Sequence, residues 1–249
     1  KQYDNSSLMI FLDVRYEDDD NTKDSLAFCN IMKQYGPVPE SSCVSGSAYP
    51  SESIPNDIAW DKGQTTHRIE QLSAHYRMMS WPLPITAPQR PALAATEWEN
   101  PQLLSVMVVE NPVERLLGNE KLASKLLSSP NDVEWSTKYN AMLSALTNSQ
   151  EDLTIDKQLT EAQELLKRFT FIIDKGCWDE SIKTLLYRLR LENYESNEVA
   201  QGRKLAGSST NGEHADVYND LLHRNHWDMQ LYEWAKERCI VVCGSTPNG

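Results

Sequence analysis

The residues best placed to do chemistry gather around one stretch, Leu103–Gly118, LLSVMVVENPVERLLG. Leu103–Val109 is a mostly apolar run, rich in Val and Leu, of the kind that forms a strand buried on both faces. Asn111 suits the cap of a following helix, and Pro112 suits its first turn, where a missing N–H costs nothing. Val113, Leu116 and Leu117 continue at helical spacing. A strand–turn–helix of this form is a usual place for an anion to bind. A second charged stretch, Asp13–Asp24, holds six carboxylates against Arg15 and Lys23 and has no glycine. Its four consecutive acids, Glu17–Asp20, lack the alternating ligands, central Gly and closing Glu of an EF-hand, so a solvated acidic loop is expected there. The five cysteines, Cys29, Cys43, Cys177, Cys239 and Cys243, form no zinc-ligand pattern. Disulfides and buried free thiols both remain open for them. Asn5-Ser6-Ser7 is an N-glycosylation sequon.

These residues need a scaffold, and the chain is long enough to supply one. At 249 residues, 40% of them hydrophobic, a single α/β domain spanning 1–249 is expected. The formal charge is −12 and the pI about 4.9, which argues against nucleic acid and against an anionic membrane surface. No apolar run approaches the length of a membrane span, and Lys1–Ser7 is too polar for a signal peptide.

Leu8–Leu12, LMIFL, reads as the first strand, joined by Asp13–Lys23 to a helix over Ser25–Gln34 with Leu26, Phe28, Ile31 and Met32 turned inward. Residues 38–63 and 82–101, rich in Pro and Ser, read as surface excursions, and Thr65–Ser73 as a short helix. Past Gly118 the motif helix is expected to continue through Glu120–Leu127. Further helices are expected over Asp132–Leu146 and Ile155–Phe169, then a strand over Phe169–Ile173, then a helix capped by Asp179 and running through Leu191. Glu192–Asn211 reads as a polar loop and 241–249 as a tail.

The stretch VMVVENPVERLL resembles the second cofactor motif of the sulfotransferases, enzymes that use the sulfate donor PAPS (3′-phosphoadenosine 5′-phosphosulfate). The family form is an apolar strand, Arg-Asp/Asn-Pro-Val-Glu-Arg, two apolar residues and Ser. Asn111, Pro112, Val113, Glu114 and Arg115 match it, while Glu110 and Gly118 stand where the family's phosphate-binding Arg and Ser would be. The first strand and helix occupy the place of the family's other cofactor motif. The Lys- and Gly-bearing phosphate loop expected there is replaced by the acidic Asp13–Asp24 run. Two later segments resemble the family as well. FTFIIDKGCWDESIKTLLYRL matches the late strand and helix at Asp179, Glu180 and Ser181, and HRNHWDMQLYEWAKERC matches the final helix at Asn225, Asp228, Leu231, Tyr232 and Glu233. We read these late positions as fixing the fold rather than the activity.

The resemblance implies a P-loop-like sulfotransferase fold: a mostly parallel central sheet of four or five strands with helices on both faces. It also implies how that fold would be used. A phosphate loop needs converging N–H groups, positive charge and Gly, and a run of carboxylates opposes an anion. Both phosphate motifs fail together here, so a non-catalytic sulfotransferase-like subunit of a protein assembly is expected, with no cofactor and no metal. Its partner surface is expected at an apolar patch in the Trp81–Trp98 region or at the acidic loop. The alternative is an active carbohydrate sulfotransferase with a divergent donor site. It would need Arg15, Arg115, Arg203 and Lys204 to converge on PAPS, and His75, or else His67, as general base. The sequon and the habit of carbohydrate-acting relatives imply a lumenal or other organellar compartment.

Overall fold

The computed structural model describes residues 7–15, 22–35, 43–44, 69–70, 73, 77–84, 95–118, 139–147, 154–191 and 215–243. Five parallel strands make one sheet: β1 (Leu8–Arg15), β2 (Cys43–Val44), β3 (Met78–Pro84), β4 (Leu103–Val109) and β5 (Phe171–Asp174), in the spatial order β2-β3-β1-β4-β5. The described helices are α1 (Thr22–Tyr35), α2 (Ala95–Trp98), α3 (Pro112–Leu117), α4 (Ala141–Leu146), α5 (Ile155–Leu166), α6 (Trp178–Arg188), α7 (Ala215–Arg224) and α8 (His226–Lys236).

The period-2 alternation of a strand explains both halves of the core. On one face Leu8, Ile10, Leu103, Met107, Val109 and Ile172 pack with α4, α5 and α8. On the other Met9, Phe11, Met78, Leu104, Val106, Val108 and Ile173 pack with α1 and α6. Every residue of β4 is buried, as an apolar run of its kind requires in a sheet covered on both sides. Ser105 is the one polar residue of β4, and it is satisfied by exchanging hydrogen bonds with Thr170 beside β5. A smaller cluster joins Val113 and Leu116 of α3 to Ala141 and to Leu221 of α7.

Several expectations need correction. β1 runs on to Arg15, so Asp13–Arg15 belong to the strand and not to the connecting loop. Residues 82–101 are not simply an excursion: 82–84 complete β3, and α2 carries Trp98 into the core against Phe169. Trp98 is therefore no part of an exposed patch, because a parallel sheet flanked by helices buries the aromatic that seals its end. The periodic run before Leu146 breaks at Asn140, whose left-handed backbone (φ 50°) starts α4 afresh. The final segment is likewise two helices meeting at Asn225. Cys177, not Asp179, precedes α6, and Asp179 lies in its first turn. The tail from residue 241 is held at its start, since Cys243 is disulfide-bonded to Cys177. Cys29 is also disulfide-bonded and Cys239 is a buried free thiol. The segments 120–127 and 192–211 lie outside the described residues.

Candidate functional site

The order of the strands fixes where a site would lie. From β1 the chain enters α1 on one face of the sheet; after β4 it reaches α4 and α5 on the other. Chains leaving adjacent strands in opposite directions open a crevice at the strands' carboxyl ends, the usual binding place in an open parallel sheet. β1 and β4 pair directly, with Asp13 beside Val108, so Arg15 and Glu110 follow on neighbouring chains at that edge. The first residues of one charged stretch, Asp13–Arg15, thus lie beside the end of the other.

The turn after β4 is built as its residues require. The Asn111 side chain accepts from the amides of Val113 (2.9 Å) and Glu114 (3.2 Å), and Pro112 opens α3. This cap has a chemical consequence. The amides that an anion would use at this turn are already taken by Asn111. At the other end of α3, the amide of Gly118 donates to the Glu114 carbonyl (2.7 Å), and a Cβ at Gly118 would approach that carbonyl to 3.0 Å. A serine at this position would need that carbonyl to give by a few tenths of an ångström, with no strain in φ or ψ.

Acidic groups dominate the crevice edge. Glu110 is paired with Lys175 (3.0 Å), which immediately follows β5. Asp174, the last residue of β5 and only 1% exposed, accepts from the Gly176 amide (2.9 Å) and from the Tyr232 hydroxyl (2.9 Å). The Glu114 carboxyl is pushed above the usual carboxylate range by desolvation first, then by the negative charges of Glu110 and Asp174, with Lys236 opposing. Burial, and then Asp174, likewise push the Tyr232 phenol upward, and push the Cys239 thiol up to about 12. Desolvation is the first cause of each of these shifts, and the negative charge of Asp174 adds to all three.

A raised carboxyl pKa has a definite sign in stability. The ionised form of Glu114 is disfavoured in the folded chain, so its ionisation weakens folding as pH rises through its titration range. Glu114→Gln is expected to be more stable than the parent at pH 7, with the difference shrinking as pH falls and the parent carboxyl is protonated. Urea unfolding at several pH values checks this; a difference that grows on acidification would contradict it.

Arg115 does not point its charge into this crevice. Its guanidinium pairs with Asp228 of α8 (3.4 Å), and both side chains are buried. Asp228 also accepts from the amides of Met142 (2.9 Å) and Leu143 (2.8 Å), capping α4. Burial pushes the Asp228 carboxyl upward, while Arg115 and the two amides pull it back. Asn140 returns the favour: its side-chain oxygen accepts from the amides of Trp227 and Asp228 (3.1 Å each), and its Nδ2 donates to the Arg224 carbonyl (3.0 Å). Asn225 accepts from the Asn140 amide (3.2 Å) and donates to the Leu221 carbonyl (2.8 Å). α4 and α8 therefore cap each other, and Arg115 supplies the counter-charge. Expected as a possible donor ligand, Arg115 is found in the scaffold.

Of the remaining sequence candidates, Arg15 is placed by its backbone at the end of β1. His67, His75, Arg203, Lys204 and Asn5 lie outside the described residues. Asp174, Lys175, Cys177 and Cys243 were not anticipated as site residues. The one signal for the first three is the DKGC that ends the apolar run FTFII; Cys243 comes from 66 residues beyond Cys177. The fold thus defines a parallel α/β chain whose strand order places β1 beside β4, with Glu110, Glu114 and Asp174 following or ending β4 and β5 at the strands' carboxyl ends. Comparisons with protein-family models, with curated proteins and with solved structures find no match to this chain. Among the described residues, no helix is long and apolar enough to cross a membrane.

Proposed function

We propose that this chain is a sulfotransferase-like protein of P-loop-like plan that no longer binds PAPS and acts as a non-catalytic structural or interaction subunit of a larger assembly. The observation that carries this reading is the charge at the end of β4 and β5. Where the resemblance calls for an Arg that holds a phosphate, Glu110 is engaged by Lys175, and Glu110 and Asp174 stand close enough to add to the desolvation that raises the Glu114 carboxyl pKa. A phosphate brought here would meet the negative charges of Glu110, Glu114 and Asp174, and each lost charge-assisted contact is worth about 1.5–3 kcal/mol. Asn111 and Arg115, which match the family form, serve the scaffold here: Asn111 caps α3 and Arg115 pairs with Asp228, so the departures that carry the reading are Glu110 and Gly118.

Calorimetric titration of the full chain with adenosine 3′,5′-bisphosphate, the desulfated donor, tests this directly. No heat and no thermal shift at millimolar ligand is the expected result. Micromolar binding would overturn the proposal in favour of the second reading, an active carbohydrate sulfotransferase with a divergent donor site. That reading draws its support from Arg15, whose backbone ends β1 beside Glu110.

A further inference from the structure

The turn that follows β5 gathers ligands of a different kind. One carboxylate oxygen of Asp174 and the sulfurs of Cys177 and Cys243 all lie within 4.8 Å of one another. Tetrahedral zinc, with bonds of ~2.3 Å to sulfur and ~2.0–2.2 Å to oxygen, places such atoms roughly 3.5–4 Å apart, inside that distance. In the oxidised chain the two sulfurs are bonded to each other, with Cα atoms 5.6 Å apart, and no thiolate is on offer. We propose that reduction of this disulfide converts Asp174, Cys177 and Cys243 into a three-ligand site for a thiophilic divalent cation of the zinc type.

The surroundings suit that role. Asp174 is buried and held from outside the cluster, by the Tyr232 hydroxyl on one oxygen and the Gly176 amide on the other. A carboxylate ligand oriented by such hydrogen bonds is the usual support of a metal centre, and each oxygen keeps a lone pair for the ion. Cys177 directly precedes α6, a helix of 11 residues, whose N-terminal amides favour a thiolate. Lys175 lies one residue from Asp174 and two from Cys177. Gly176 is exposed, and a Cβ there would meet Asp174 Oδ1 tightly (3.3 Å) and the Cys243 sulfur at ordinary contact distance (3.6 Å), so the turn lies directly against the cluster. Three protein ligands with one open position describe a site that keeps a water or takes an external ligand. Two sulfurs in the set select zinc over calcium or magnesium.

The redox step balances with an external dithiol. Its two sulfurs become bonded to each other, the Cys177–Cys243 bond breaks, and the two electrons and two protons transferred leave both cysteines as thiols. Zinc then displaces those two protons. The metal takes over the disulfide's task of holding residues 239–243 against β5, where the Ile240 amide already donates to the Ile172 carbonyl (2.8 Å).

The test uses the full chain, oxidised and dithiol-reduced, with thiols titrated in each state. Each is exposed to Zn²⁺ and freed of unbound metal, and the zinc retained is measured. In parallel, Co²⁺ serves as a spectroscopic probe. The reduced chain is expected to retain one more equivalent of zinc than the oxidised chain, and to show thiolate-to-cobalt charge-transfer absorption. Asp174→Asn keeps the disulfide and is expected to weaken zinc binding at least tenfold in the reduced state. Tyr232→Phe is expected to weaken it on the order of tenfold, through the lost support of Asp174. Two results would overturn the inference. One is a disulfide that resists the dithiol in the folded chain. The other is a reduced chain, with both thiols titrating, that retains no more zinc than the Cys177→Ser/Cys243→Ser variant.

Discussion

Asp228→Ala is expected to lower folding stability by about 3–5 kcal/mol, the cost of breaking a buried ion pair by removing one member. Three groups lose their acceptor at once: the Arg115 guanidinium and the amides of Met142 and Leu143. Each has been taken out of water on the understanding that Asp228 receives it. The single substitution measures that dependence rather than the net worth of the pair. Arg115→Met/Asp228→Leu separates the two. Exchanging a buried ion pair for apolar side chains of similar volume is often close to neutral, so the double variant should recover part of the loss. Full recovery is not expected, because the two amides at the start of α4 still lack an acceptor, worth about 1–3 kcal/mol. Urea unfolding of the parent and the variants gives the comparison. A loss below about 1 kcal/mol for Asp228→Ala would show that the reciprocal caps do not hold α4 and α8 together.

Phe11→Ala should be comparably severe, about 3–5 kcal/mol, and for an unrelated reason. Phe11 lies on the central strand, fully buried, with its ring stacked on Phe28 of α1 (4.3 Å between centroids) and edge-on to Trp178 of α6 (6.5 Å). Removing the ring leaves a cavity between three elements that cannot all close over it. Phe11→Leu retains most of the volume and should cost much less, keeping the apolar contact while losing an aromatic pairing worth about 0.5–1.5 kcal/mol. Equal losses for the two variants, read from thermal or urea unfolding, would locate the stabilisation in ring geometry rather than in filled space.

How much of this was written plainly in the chain depends on the range of the interaction. β4 and the cap at Asn111 follow from their own sequence, because an apolar strand and an Asn-Pro helix start are local devices. The parallel sheet with helices on both faces follows from the alternation of strand and helix patterns. β3 has no such local signature: MMSWPLP carries two prolines, which speak against a strand, yet it pairs with β1 on one side and with the short β2 on the other. The break at Asn140 escaped notice because hydrophobic spacing runs through it, and the αL residue is explained only by its partners on α8, far along the chain. The same holds for Arg115. Its sequence context suggests a ligand, and only the arrival of Asp228 from α8 gives it another task. Ion pairs and disulfides between distant segments have no periodicity to betray them.

The strand order also governs how the chain comes to be folded. β1 is made before the strands it pairs with and lies at the middle of the sheet, and neither of its neighbours is the next strand in sequence. Until Met78–Pro84 and Leu103–Val109 have emerged from the ribosome, LMIFL has no edge to join, and the closing strand Phe171–Asp174 comes later still. Pairings of such long range are slow to form, and an unpaired apolar strand is prone to stick to others in the interval. This chain should therefore depend on chaperones during synthesis, and truncation before Leu103 should yield an aggregating fragment rather than a smaller folded one.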